Sequence, residues 1–334
     1  MRKITVSQFT ISQIMRIFPF LSIIHIDSVP RLQQCMFERS ASPVYLTKII
    51  LTNVSHIGHF LPSDIANNFA SVTVLECMNI GGIDENLSQY ILCFPKLKKL
   101  RLDNCLQIDD ACLRLISASL LHLNELLITK CLQICKGDVV PKDSALKRLS
   151  ITMCPILRSL FVPSSIISLC LSRSGIDEAV LQNVALCCTG LLRLDVSHCC
   201  NVSNLALSFR SLSSANFSGC QMLASVELLC PLLVEVNFQF CWSLTQCTIV
   251  SDTIRRLDLK MLNNLTSIDL KCSALSTLNL SGCNKLKYVG KFRGDYKPIT
   301  ISLLLENCPS INLDDGSGFA GLNLYDDYIS TNSL

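Results

Sequence analysis

L97KKLRLDNC105, L123NELLITKC131, L146KRLSITMC154, L191LRLDVSHC199 and L275STLNLSGC283 are copies of one nine-residue phrase. Its first, fourth and sixth positions are apolar, and Cys closes it. Looser copies are L21SIIHIDSV29, L46TKIILTNV54, V72TVLECMNI80, I166ISLCLSRS174, L212SSANFSGC220, L233VEVNFQFC241, I254RRLDLKML262 and T300ISLLLENC308, which makes thirteen. Their last residues follow one another at intervals of 20 to 26. Within the phrase apolar residues alternate with others, the period of a strand with two unlike faces. A short unit recurring at a near-fixed interval cannot bury its apolar side alone; it buries it against the next copy. The phrase therefore predicts an α/β stack of parallel strands, each followed by a return arm.

The return arm changes length along the chain. Units ending at 54 through 131 are 25 or 26 residues long, room for a strand and a short helix. S63DIANNFA70, D84ENLSQYILCF94 and D109DACLRLISASLL121 open on Ser or Asp, whose side chains cap a helix start, and continue with apolar residues three or four apart. D177EAVLQNVALCC188 has the same form. From Cys199 to Cys283 every unit is 21 residues, too short for a helix of several turns, so extended or turn-like return segments are expected there. Residues 1–20 read as an N-terminal cap with a helix over I11SQIMRIF18, 21–313 as the repeat stack, and 314–334 as a C-terminal cap and polar tail.

The phrase is the leucine-rich-repeat signature and implies a horseshoe of about thirteen repeats, with a parallel concave sheet and short convex helices mainly in the N-terminal half. C105LQIDDACLRLI116 and S174GIDEAVLQNVALCCTGLLRLDVSHC199 add Ile-x-Asp-x-x-Leu or a near variant to the closing Cys or Ser. This resembles the cysteine-containing repeat of F-box leucine-rich-repeat proteins and of their antagonist-of-mitotic-exit relatives, over about 85% of the chain. The resemblance implies a protein-recognition role, as the substrate-binding component of an SCF-type (cullin–RING) ubiquitin ligase whose partners include a Skp-type adaptor and a cullin. With a first repeat near residue 21, an F-box module is not expected within this chain. The alternative is an F-box-independent scaffold or regulator that holds a partner on its concave face.

Composition narrows the class. Hydrophobic residues form 49% of the chain and mean hydropathy is +0.42, which a repeat stack explains by burying three or four apolar side chains per unit, each worth roughly 1.5–3 kcal/mol. No apolar run nears the roughly 18 residues that span a bilayer, so no membrane association is expected. Arg2 and Lys3 precede no apolar block with a small-residue cleavage site, so no secretory leader is expected. Of twenty Cys, eight close the phrase and none forms a Cys-x-x-Cys pair, which points to buried reduced thiols in a cytoplasmic or nuclear monomer. A net charge of +3 predicts no nucleic-acid partner. His56 and His59 lack a third metal ligand, His198 adjoins a thiol that the repeat buries, and no phosphate-binding Gly motif occurs. No cofactor, metal or catalytic activity is expected.

The third, fifth and seventh residues of each phrase face away from the core. They supply the candidate partner-binding set Lys99, Arg101, Arg148, Arg193, Asp195, Asn216, Asn237, Arg256 and Asp258. Its broken basic row suits an acidic or phosphorylated peptide; equally, it is the polarity of any solvated sheet face, with Arg193–Asp195 and Arg256–Asp258 neutralising themselves. Trp242, the one tryptophan, is expected to pack at a turn opening a return arm.

Overall fold

The computed structural model describes residues 13–14, 17–32, 45–58, 69–81, 86–138, 145–289, 299–300, 302–310 and 322–323. The chain divides into two compact units, Met1–Ile166 and Ile167–Leu334. Each is a leucine-rich-repeat solenoid of parallel strands.

In the first unit the phrase strands are β1 (Ile23–Asp27), β3 (Lys48–Thr52), β5 (Val74–Met78), β6 (Lys99–Asp103), β7 (Glu125–Thr129) and β8 (Arg148–Thr152). Two-residue strands β2 (Arg31–Leu32) and β4 (His56–Ile57) pair on the return side. Neighbouring phrase strands pair without slippage, Leu100 beside Leu126 and Leu126 beside Leu149. Their fourth and sixth residues are buried in every copy. A one-residue slip would turn that whole row to solvent, so the apolar pattern fixes the register. Helices α1 (Asn86–Leu92) and α2 (Asp110–Ser119) occupy return arms, as the spacing predicts. Asp109 caps α2 by accepting from Cys112 N–H at 2.8 Å. Under them Tyr90 packs edge-on to Phe94 at 5.1 Å. The helix expected over 63–70, the 314–334 tail apart from 322–323 and most of the 1–20 cap lie outside the described residues.

In the second unit the elements run β9 (Ser168–Cys170), α3 (Glu178–Cys187), β10 (Arg193–Asp195), β11 (Asn204–Ser208), β12 (Ser214–Asn216), β13 (Ser225–Leu229), β14 (Glu235–Asn237), β15 (Gln246–Ser251), β16 (Arg256–Asp258), β17 (Ser267–Cys272), β18 (Thr277–Asn279), β19 (Tyr288–Val289), β20 (Ile299–Thr300), β21 (Ser302–Leu304) and β22 (Leu322–Asn323). The extended return segments of the 21-residue repeats pair as a parallel back sheet, β11–β13–β15–β17–β19. Two strands per turn thus replace a strand and a helix. The core between them is apolar, with Phe217 and Phe238 stacked at 5.4 Å.

All thirteen phrase strands begin at the third position of their phrase. All thirteen eighth positions have positive φ: Ser28, Asn53, Asn79, Asn104, Lys130, Met153, Arg173, His198, Gly219, Phe240, Met261, Gly282 and Asn307. Left-handed backbone suits Gly and Asn and costs other residues about 1 kcal/mol. Where Asn recurs it forms a ladder: Asn104 donates to Asn79, Asn79 to Asn53 and Asn53 to Asp27, at 2.9 to 3.0 Å.

Candidate protein-binding face

The phrase strands place their third and fifth residues on one open face of each unit. In the first unit these strands are five residues long, so the seventh residue joins that face. It carries four cations (Lys48, Lys99, Arg101, Arg148) and four acids (Asp27, Glu76, Asp103, Glu125). Most of them meet. Lys48 contacts Glu76 at 2.7 Å, Lys99 contacts Glu125 at 3.3 Å, and Arg101 contacts Asp103 at 3.3 Å. Half-exposed pairs of this kind add at most about 1 kcal/mol each, but they cancel the field a basic row would project. Arg148 stands beside Glu125 in register, exposed and without a salt bridge among the described residues.

In the second unit five fifth-position side chains have a local task. Asp195, Asn216, Asn237, Asp258 and Asn279 each accept through Oδ1 from the backbone N–H two residues on, at 2.9 to 3.1 Å. This Asx turn ends the strand at the fifth residue, so β10, β12, β14, β16 and β18 are three residues long. β9 and β21 are equally short with Cys170 and Leu304 at that position, and their brevity has another origin. Four candidate partner-binding residues, Asp195, Asn216, Asn237 and Asp258, therefore hold the turn with one oxygen and keep the rest of the side chain on the face.

Arg193, Asp195, Asn216 and Asn237 come together. With Ser168, Ser214 and Glu235 they line a shallow groove of about 550 Å³ across β9, β10, β12 and β14. The Ser214 hydroxyl donates to Glu235 at 2.6 Å. Arg193 is exposed and forms no salt bridge among the described residues, so the expected Arg193–Asp195 neutralisation does not occur. Arg256 is equally free, because Asp258 faces Lys260 at 3.8 Å instead. On third and fifth positions this unit has two cations, Arg193 and Arg256, against Asp195, Glu235 and Asp258. The face is thus of mixed charge and not a basic track, which removes the electrostatic basis for preferring an acidic or phosphorylated peptide.

The closing cysteines are structural. Cys199, Cys220, Cys241 and Cys283 each donate a thiol proton to the sixth-position carbonyl of the preceding phrase (Leu171, Val196, Phe217, Leu259) at 3.1 to 3.2 Å. Burial pushes Cys154, Cys199, Cys241 and Cys283 up to about 12 and Cys220 to about 11. Thiols so protonated are poor nucleophiles and poor metal ligands. All nineteen described cysteines are free thiols. Among the described residues no group of three or more His, Cys, Asp or Glu is placed to hold a metal, and no helix is long and apolar enough to cross a membrane. His59 lies outside them.

Trp242 does not pack as expected. It is 55% exposed, with its ring edge-on to Phe240, itself 58% exposed, at 6.4 Å. The aromatic follows the closing Cys, where the chain turns outward, and nothing in the local pattern distinguishes that site from a packed one.

No family model matches the chain, and no curated protein does. Solved structures similar to it include a leucine-rich-repeat protein of Leptospira interrogans, 14% identical, covering 91% of this chain and 95% of that one with a TM-score of 0.37. TLR13 in complex with ssRNA13 is 13% identical, covering 86% of this chain and 56% of that one with a TM-score of 0.32. A leucine-rich cell surface protein from Faecalibacterium prausnitzii A2-165 is 13% identical, covering 80% and 86%, with a TM-score of 0.21. The repeat geometry itself carries the fold assignment.

Proposed function

We propose that this chain is a non-enzymatic recognition protein that holds a protein partner against the strand face of its repeats, and that it serves as the substrate-binding component of an SCF-type ubiquitin ligase pathway in the cytoplasm or nucleus. The recognition reading rests on the groove of β9, β10, β12 and β14, where the free Arg193 guanidinium stands among Asp195, Asn216, Asn237 and Ser168. An exposed Arg amid short polar side chains and no reactive group is the chemistry of an interface. The ligase reading rests on the Cys-closed phrases with their Ile-x-Asp return arms. A partner for this face carries both signs of charge.

The test is affinity purification of the tagged chain from its native cells, with mass spectrometry of the bound proteins. Stoichiometric recovery of a Skp-type adaptor and a cullin together with a third protein supports both readings. A stable partner without ligase subunits leaves recognition standing, overturns the ligase role and makes the chain a scaffold or regulator. Recovery of no partner overturns both.

A further inference from the structure

The groove across β9, β10, β12 and β14 has an apolar lip. The residue before each of these strands, the second of its phrase, is Ile167, Leu192, Ser213 or Val234. Backbone bonds hold the four in one row: Leu192 N–H donates to the Ile167 carbonyl, Ser213 N–H to Leu192 and Val234 N–H to Ser213, at 2.8 to 2.9 Å. Three of them present apolar surface to water, with Ile167 38%, Leu192 42% and Val234 55% exposed. The repeat itself does not demand this. The same position of the first unit's phrases holds Ser22, Thr47, Thr73, Lys98, Asn124 and Lys147, and the two phrases after Val234 hold Arg255 and Ser276. The second position is thus apolar where it borders the groove and polar at each of these others.

On the polar floor the register fixes the spacing. Arg193, Ser214 and Glu235 are partners on three consecutive strands, so Arg193 and Glu235 stand two strands apart, about 10 Å. They are opposite in charge, exposed, and in no salt bridge among the described residues. Between them Asn216 gives Oδ1 to its turn, which leaves its amide N–H groups as donors to the groove. Leu192 and Val234 on the lip repeat the two-strand interval, and Ile167 lies one strand further, about 5 Å from Leu192.

We infer, resting on the recognition reading of this face, that the groove takes an amphipathic α-helix of the partner protein laid across the strands, with an acid on Arg193, a base seven residues away on Glu235 and apolar side chains along the lip. Residues seven apart on a helix lie about 10.5 Å apart on one face, and residues four apart about 6 Å. Those intervals meet Arg193 with Glu235, Leu192 with Val234, and Ile167 with Leu192. An extended chain repeats one face every ~6.7 Å and misses the Arg193–Glu235 interval. A polyproline helix repeats one face every ~9.3 Å and cannot meet Ile167 and Leu192 on neighbouring strands. A helix also satisfies its own backbone, so a lip of side chains and a floor without free strand edges suffices to hold it.

The probe is the helix-forming peptide fluorescein-Ala-Gln-Ala-Leu-Ala-Gln-Glu-Leu-Gln-Ala-Gln-Ala-Gln-Lys-Leu-Ala-Gln-amide, titrated with the full chain and read by fluorescence anisotropy. A saturable rise is expected. It weakens roughly tenfold or more in Arg193→Glu and in Leu192→Asp/Val234→Asp, both with unchanged circular dichroism, and when Pro replaces the central Gln of the probe. Binding to Arg193→Glu returns when the probe's Glu becomes Lys, which a loss through misfolding would not allow. No rise at millimolar concentration overturns the inference, as does equal binding of the Pro-broken probe or undiminished binding to the lip variant. Co-purification reads the partner whatever its shape. A partner that still depends on Arg193 while the probe fails removes the helix and leaves recognition on this face standing.

Discussion

Glu178 joins the last described helix to the first strand of the back sheet, and removing its carboxylate tests how the two repeat types are spliced. Its Oε1 accepts from Ser203 N–H, from the Ser203 hydroxyl at 2.7 Å and from Asn204 N–H at 2.9 Å. Those groups lead into β11. Asp110 does the same at the start of α2, accepting from Cys135 N–H at 2.9 Å and Lys136 N–H at 2.7 Å. A buried hydrogen bond to a charged group is worth about 1.5–3 kcal/mol. Glu178 is only half-buried, and screening brings the three bonds together to about 2 kcal/mol. Glu178→Ala should therefore lower stability by about 2 kcal/mol, or the unfolding midpoint by about 4–8 °C in a unit of this size. Glu178→Gln should lose about half as much, because the amide oxygen still accepts. Burial alone would raise the Glu178 pKa, but the bonds from Ser203 and Asn204 outweigh it and hold the carboxyl below its ordinary value. A depressed acid stabilises fully above its unfolded pKa of about 4.3 and loses that contribution as pH falls through the lower folded value. The gap between wild type and Glu178→Gln should be constant from pH 7 to about 5 and narrow as pH falls below about 4. Urea denaturation at several pH values, with hydrogen exchange of the Ser203 and Asn204 amides, measures it. A loss under about 0.3 kcal/mol in Glu178→Ala, or a gap that does not narrow as the pH is lowered, would refute the reasoning.

Lys130→Asn extends the exposed ladder by one rung at a left-handed position next to Asn104; it should raise stability by about 0.5–1 kcal/mol, read as a higher urea midpoint at unchanged slope. Phe217→Ala removes one ring of the buried stack with Phe238 and should cost about 3–5 kcal/mol by the same assay. Maleimide at pH 8 should label the exposed Cys187 and Cys200 of the native protein and spare Cys199, Cys241 and Cys283, whose thiols burial pushes up to about 12; labelling of those three in native conditions, by peptide mass spectrometry, contradicts the packing.

The phrase made the repeat geometry legible because one side-chain period serves burial, register and turn together. Each third position starts a strand and each eighth turns left-handed, whether it holds Asn, Gly, Lys or Phe. Stacking overrides intrinsic preference there. The back sheet was half legible. Leu205 and Leu207, Val226 and Leu228, Cys247 and Ile249, and Ile268 and Leu270 alternate with outward residues, the mark of paired strands, at a constant interval of 21. The site was less legible. A basic row emerges only if Glu76, Glu125 and Glu235, which share the strand face, are left out of the count. The Asx role of Asp195 and Asn216 was open to inference from Asp or Asn recurring two residues before a polar turn residue. The break of the front sheet between β14 and β16 was not, because its flanking phrases, L233VEVNFQFC241 and I254RRLDLKML262, keep the same pattern as their paired neighbours.

The most direct measurement is quantitative co-purification from native cells with the wild-type chain and with Arg193→Glu/Arg256→Glu, two exposed side chains whose replacement touches no core residue. If the strand face holds the partner, the major co-purifying protein falls at least tenfold in the double variant while circular dichroism and urea midpoint stay the same. Undiminished recovery with the charges reversed would contradict recognition on this face.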